Sequence, residues 1–171
     1  MHVLAICGSP RKGNTEFALR KMLDVFSAKG NKCEIVNLRE KKIEFSDGGA
    51  DKGYSAGDEM GIIYPKIFNA DMLILGSPAY FSNVSALMKN FIDRMNPCWQ
   101  DERLKGKKAI VVAVGGLESS AGKCAKNLEE FARICRMKVV ERLVFTAENA
   151  DDLSRNGKAI KKIENAAEKV F

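Results

Sequence analysis

Val3-Leu4-Ala5-Ile6-Cys7 runs straight into Gly8-Ser9-Pro10-Arg11-Lys12-Gly13-Asn14-Thr15, and the reading of this stretch decides the fold. An aliphatic, partly β-branched run of this length reads as a strand buried on both faces. Behind the turn, Thr15 to Lys29 has helical period. A strand, a small-residue polar turn and a helix N-terminus together make a place for a phosphate. The turn offers backbone N–H groups, the hydroxyls of Ser9 and Thr15, the Asn14 amide and the cations Arg11 and Lys12. The helix end adds unpaired donors and a favourable dipole. The competing reading is an ordinary strand-to-helix turn, because Ser, Asn and Thr also cap helices well. Two cations and a hydroxyl-rich turn exceed what capping needs. The turn lacks the Gly-Lys-Ser/Thr ending of a P-loop and the three spaced glycines of a dinucleotide fingerprint. A monophosphate fits it better than a pyrophosphate.

The 171 residues suffice for one domain, expected over 1–171, with 46% hydrophobic and 29% charged residues. No apolar run approaches the roughly 20 residues of a membrane helix, and no basic-then-apolar leader opens the chain, so a cytoplasmic location without membrane contact is expected. Five cysteines, Cys7, Cys33, Cys98, Cys124 and Cys135, are too far apart in sequence for a Cys-x-x-Cys pair. Cys7 and Cys33 fall in expected buried strands, where cysteine acts as a small hydrophobe. The single histidine, His2, has no carboxylate or thiol cluster near it in sequence, which speaks against a metal site or a His-based triad. The net charge of +6 is scattered rather than gathered in a stripe with interleaved aromatics, so nucleic acid is not an expected partner.

Further strands are expected at Cys33–Leu38, Asp71–Ser77, Lys108–Val114 and Val139–Phe145, and helices at 15–29, 58–69, 84–95, 121–136 and 149–169. Alternating strands and helices imply a parallel sheet covered on both faces, with the three most apolar strands (first, third and fourth) in the middle. Each of those three ends in a Gly- or Ser-rich loop. Ligands of open α/β sheets bind at such ends, beside the topological switch point. Pro65 is expected to kink or divide the helix at 58–69. Ser46 to Gly57 carries no period and reads as a long, mobile loop. The last helix places Leu153, Ile160, Ile163, Ala167 and Val170 on one packing stripe.

The Gly8–Thr15 loop, the stretch Gly76-Ser77-Pro78-Ala79-Tyr80-Phe81-Ser82-Asn83-Val84-Ser85-Ala86 and the stretch Met88-Lys89-Asn90-Phe91-Ile92-Asp93-Arg94 resemble the NADPH-dependent FMN reductase family. The resemblance is strongest to its branch of iron–sulfur flavoproteins and multimeric-flavodoxin-like proteins, and runs from the first strand to the fourth. It implies an α/β flavodoxin-like three-layer sandwich, a five-stranded parallel sheet of order 2-1-3-4-5, noncovalent FMN, and homodimers or homotetramers with the flavin near a subunit interface. By the same resemblance Ser9, Arg11, Asn14 and Thr15, with Lys12 as a weaker candidate, match the positions that hold the FMN phosphate. Pro78, Ala79, Tyr80, Phe81 and Asn83 match the loop along the isoalloxazine and ribityl chain. Gly115 and Gly116 match the third loop, where backbone N–H groups approach the pyrimidine edge. Without the resemblance, Tyr80 and Phe81 read as aromatics capping a strand end, and Gly115-Gly116 as a plain turn.

Iron–sulfur members carry a compact cysteine cluster before an Asp-Asp-Met-like helix start. Asp58-Glu59-Met60 resembles that start, but the cysteine positions read Ser46, Gly49 and Lys52, with Gly48 where a family glycine stands. Without thiolates no cubane is held, so no iron–sulfur cluster and no metal is expected. The implied activity is transfer of hydride from NAD(P)H to FMN and of electrons onward to a quinone, flavin or similar small acceptor. The chemistry then belongs to the cofactor, no protein acid or base is required, and backbone N–H groups near Gly115-Gly116 stabilise negative charge on the reduced flavin. Trp99 either stacks on the flavin side or serves as a surface or interface aromatic. The alternatives are a flavodoxin-like electron carrier serving a protein partner and a flavin-less module that kept only the fold.

Overall fold

In the computed structural model, which describes residues 1–48 and 55–170 and of Trp99 only the backbone, the opening run is the strand β1 (His2–Cys7). All five residues Val3 to Cys7 are fully buried. The chain continues through α1 (Asn14–Ala28), β2 (Lys32–Asn37), a 3-10 turn at Leu38–Glu40, α2 (Met60–Asn69), β3 (Met72–Pro78), α3 (Ala86–Asp93) and the short α4 (Asn96–Gln100). It ends with β4 (Lys108–Gly115), α5 (Glu118–Ile134), β5 (Lys138–Thr146), α6 (Asp152–Arg155) and α7 (Gly157–Glu168).

The strands form one parallel sheet of order β2-β1-β3-β4-β5, the flavodoxin-like arrangement, with the apolar β1, β3 and β4 in its middle. The period of two in the strands divides the core into two layers. Val3, Ala5, Met72, Ile74, Ile110 and Val112 face α1, α6 and α7. Leu4, Ile6, Leu73, Leu75, Ala109 and Val111 face α2, α3 and α5. In-register pairing brings Cys7 beside Gly76 and Gly76 beside Val112, so the loops after β1, β3 and β4 leave the sheet at one edge.

Local chemistry departs from the periodicity in several places. Pro65 does not divide its helix: α2 is continuous from Met60 to Asn69. Pro65 and Gly61, whose carbonyl loses its i+4 donor, both lie on the exposed side, where water satisfies that carbonyl. The expected helix at 149–169 is two helices. Asn156 takes an extended conformation and its side chain accepts from the N–H groups of Lys158 and Ala159, starting α7 afresh. The packing stripe survives the break, with Leu153, Ile163, Ala167 and Val170 buried and Ile160 partly so. Leu38 leaves β2 for the 3-10 turn, and Cys33 is only partly buried because β2 is an edge strand. Gly49 and Lys52, and most of the loop expected at 46–57, fall outside the described residues.

Candidate functional site

The loop after β1 carries a helix-capping vocabulary that it does not use for capping. The N-terminus of α1, at Gly13, has no side-chain cap. The Ser9 hydroxyl donates instead to the Arg11 carbonyl at 2.7 Å. The Asn14 amide donates to the Asn149 carbonyl at 2.6 Å, and its oxygen accepts from Leu153 N–H at 3.0 Å. The first N–H groups of a 15-residue helix are thus left without a side-chain acceptor, beside the buried Ser9 and Thr15. This geometry favours the anion cradle over the simple turn.

A cleft of about 100 Å³ opens here, lined by Ser9, Arg11, Gly13, Asn14 and Thr15 from the first loop, Pro78, Ala79 and Tyr80 from the second, and Gly115 and Gly116 from the third. A fourth wall, Ala147–Ala150 after β5, was not evident from the sequence, where it reads only as a helix start. Two contacts fasten the first loop to it: the Asn14 amide bonds Asn149 while its oxygen reaches on to Leu153 in α6, and at Gly13 a Cβ would lie 3.3 Å from the Ala150 carbonyl oxygen.

The loops are fastened to one another. Ser85 Oγ donates to the Gly8 carbonyl at 2.6 Å and accepts from Met88 N–H, so one hydroxyl caps α3 and ties it to the first loop. The buried Ser77 hydroxyl accepts from Ser85 N–H at 2.9 Å. Gly8 is required by close approach, since a Cβ there would sit 2.7 Å from Met88 Cβ. Glu16, one turn into α1, would oppose an anion were it not matched by Arg20 and Arg39 at 2.7 and 2.8 Å. Burial pushes its carboxyl up, but the two guanidiniums outweigh that and hold it below its ordinary value.

Of the other expected residues, Lys12 is exposed and does not line the cleft. Tyr80 and Asn83 exchange backbone hydrogen bonds of 3.0 Å, closing a two-residue hairpin. Its tip, Phe81 and Ser82, has φ of 49° and 64°, left-handed values that glycine or asparagine normally supplies. Phe81 is fully exposed at 105%, and Ser82 N–H donates to Ser120 Oγ. Asn83 lines a different groove and accepts from Asn127.

Comparisons with known proteins bear on the family and the fold. The model of a family described as NADPH-dependent FMN reductase matches residues 1–152. The chain belongs to that family. An iron–sulfur flavoprotein of Archaeoglobus fulgidus is 33% identical over 129 residues, 73% of this chain and 64% of the relative. The chain thus spans less than two thirds of that curated relative's length. A protein named NAD(P)H dehydrogenase (quinone) 3, from Rhizobium meliloti, is 32% identical over 71 residues, 41% of this chain and 31% of its own. Among solved structures, an apo NADH:FMN oxidoreductase (EmoB) superposes with a TM-score of 0.73 at 20% identity, covering 98% of this chain and 87% of the other. That likeness bears on the fold.

Within the FMN reductase family, iron–sulfur relatives raise the question of a cluster, and the residues present here do not fit one. No cysteine lies between Cys33 and Cys98 in the sequence. Cys7, Cys98, Cys124 and Cys135 are buried in packing positions, in β1, in α4, within α5 and at the end of α5. Burial pushes the thiols of Cys124 and Cys135 up to about 11, which keeps them protonated and poor ligands. The frame around the segment between β2 and α2 is nevertheless built firmly. Arg94 pairs bidentately with Asp58 at 2.8 and 3.0 Å and donates to the Glu44 carbonyl. Asp58 accepts from the N–H groups of Glu44 and Met60. Burial pushes Asp58 up, and Arg94 with those two donors outweighs it, leaving its carboxyl below the ordinary range.

Proposed function

We propose that this chain is an FMN-binding oxidoreductase that draws hydride from NAD(P)H and passes electrons to a quinone, flavin or similar small acceptor, without an iron–sulfur cluster. The observation that carries the reading is the uncapped N-terminus of α1, enclosed by Ser9, Arg11 and Thr15 at the edge of a flavodoxin-like sheet. The enclosed recess of about 100 Å³ suits a phosphate and the start of a ribityl chain. It is well below the roughly 300 Å³ and more that a whole drug-sized ligand fills, so the ring belongs in the open part of the cleft.

Bound there, FMN supplies the acceptance of hydride and the release of electrons. The protein's own residues bind and orient. Ser9, Thr15 and the first N–H groups of α1 hold the phosphate, Arg11 adds charge, and Lys12 contributes from outside the cleft. Asn14 fixes the loop's shape through its bonds to Asn149 in the wall after β5 and to Leu153 in α6. Pro78, Ala79 and Tyr80 form one side of the ring site, with Phe81 and Asn83 holding its outer edge. Gly115 and Gly116 present backbone to the other side. The first of these has no room for a side chain, a Cβ meeting Ala79 Cβ at 3.0 Å. Assembly into homodimers or homotetramers completes this reading, and the name of the Rhizobium relative supports a quinone as acceptor.

The test is anaerobic titration of the FMN-loaded protein with NADPH and then NADH. Rapid loss of the yellow absorption with either nicotinamide is expected. A flavin that stays oxidised with both, yet is reduced by dithionite, assigns the chain instead to the electron carriers.

A further inference from the structure

Positive charge that lies scattered along the sequence is gathered by the fold onto one face. Lys158, Lys161, Lys162, Asn165 and Lys169 follow at i, i+3, i+4, i+7 and i+11, so they form one exposed stripe of α7 and its C-terminal cap. The stripe runs for about 16 Å. It walls a groove of about 400 Å³ whose other side is the edge strand β5, with Glu141 and Arg142. A second concavity, reaching Arg155 and Thr146, shares Lys158 and Lys161 with the first. The charges of this face are not balanced from within. Glu164 turns to α1, where it bonds Lys21 at 2.9 Å, and Glu168 follows it at i+4. The two acids of the linings are spent on backbone: Glu141 accepts from Arg142 N–H at 3.0 Å, and Asp152 from the N–H groups of Glu148 and Asn149. The ammonium groups of Lys158, Lys161 and Lys169 have no partner among the described residues. Lys158 also sits in the first turn of α7, where the helix dipole favours an acid and none is present. An arrangement that works against its own helix and goes uncompensated marks a surface kept for a partner.

We propose that the α7–β5 face docks the acidic surface of a protein partner. The chemistry of the face selects carboxylates. Its free cations are all lysines, whereas Arg142 and Arg155, whose forks suit phosphate, are engaged by the Gly122 carbonyl and by Asp151. Among the described residues the two linings hold no aromatic side chain on which a nucleic-acid base could stack. Addition of a strand to β5 is blocked at two points: Lys162 covers the Val144 carbonyl at 3.2 Å, and Glu141 covers the Arg142 N–H. Side-chain electrostatics remains, and it steers a carboxylate-bearing surface into a fast, salt-sensitive encounter. This docking does not depend on the flavin, and α7 lies beyond residues 1–152 that match the family model.

Fluorescence anisotropy of a labelled oligoglutamate peptide on the full chain tests the proposal, with an oligothymidylate of equal length as the competing polyanion. At low ionic strength the peptide is expected to bind more tightly than the oligothymidylate and to be released as salt is raised. Lys158→Glu/Lys161→Glu should raise its dissociation constant about 10-fold or more. Lys123→Glu/Lys126→Glu makes the same change in net charge at exposed positions of α5 and should raise it less than about threefold. The first pair should also melt no lower than the wild type, since glutamate suits the first turn of a helix. Equal losses in the two pairs reduce the binding to net charge and overturn this face. Tighter binding of the oligothymidylate assigns the face to nucleic acid instead, and a wild type that does not bind the peptide removes the docking surface altogether. A lower melting point of Lys158→Glu/Lys161→Glu would make these lysines part of the fold and overturn their assignment to a partner.

Discussion

Among the described residues Arg94 is the largest fully buried side chain, and its work is holding a backbone segment in place. Replacing it by methionine keeps most of the volume but leaves Asp58 without its charge partner and releases the Glu44 carbonyl. The expected loss is about 3–5 kcal/mol of unfolding free energy, as for one partner of a buried ion pair. Urea denaturation of Arg94→Met checks it, and a loss below about 1 kcal/mol, typical of exposed pairs, would contradict the assignment. Both residues stood out in the sequence as parts of motifs. That they meet did not, because 36 residues and two changes of direction separate them. Asn14 teaches the same lesson: its place beside a helix start is readable, whereas its two partners 135 and 139 residues away are set by the sheet.

Among the elements, strands were more legible than helices. Runs such as Ile110-Val111-Val112 admit one reading once both faces are buried, so the central place of β1, β3 and β4 and their three convergent loops follow from them, whereas the full strand order came with the family resemblance. Helix boundaries depend on single side chains. Asn156 ends one helix by capping the next, and the exposed site of Pro65 lets α2 continue. The edge strand β2 adds a charge network, with Glu34 joined to Lys66 at 2.8 Å, Lys32 at 3.0 Å and His2 at 3.1 Å. The hydrogen bonds from Lys66 and Lys32 hold its carboxyl down from 4.5 to about 2. A depressed carboxyl stabilises the fold fully above its unfolded value, and that contribution is lost as pH falls from 4.5 towards 2. Glu34→Gln should therefore be less stable at neutral pH and lose less stability between pH 4.5 and about 2, measured by circular dichroism against pH. An unchanged slope would remove Glu34 from the acid response.

For the molecule as a whole, the loop after β1, proposed to hold the phosphate, ties sequence to the proposed function most directly. Its composition left open whether it caps a helix or cradles an anion, and only the folded geometry separates the two, because Ser9 and Asn14 turn their polar groups elsewhere and leave α1 uncapped. The ring side of the cleft was less legible. The outward turn of Phe81 and the fourth wall at Ala147–Ala150 depend on tertiary placement, with no local pattern to announce them. The most direct test is equilibrium titration of the apoprotein with FMN and with riboflavin, which differ in the phosphate alone. Binding of FMN at least about 100-fold tighter is expected, equivalent to about 2.7 kcal/mol for the phosphate contacts, with the gap narrowed in Arg11→Ala. Equal affinity for the two flavins, or none for either, would contradict the assignment of this loop.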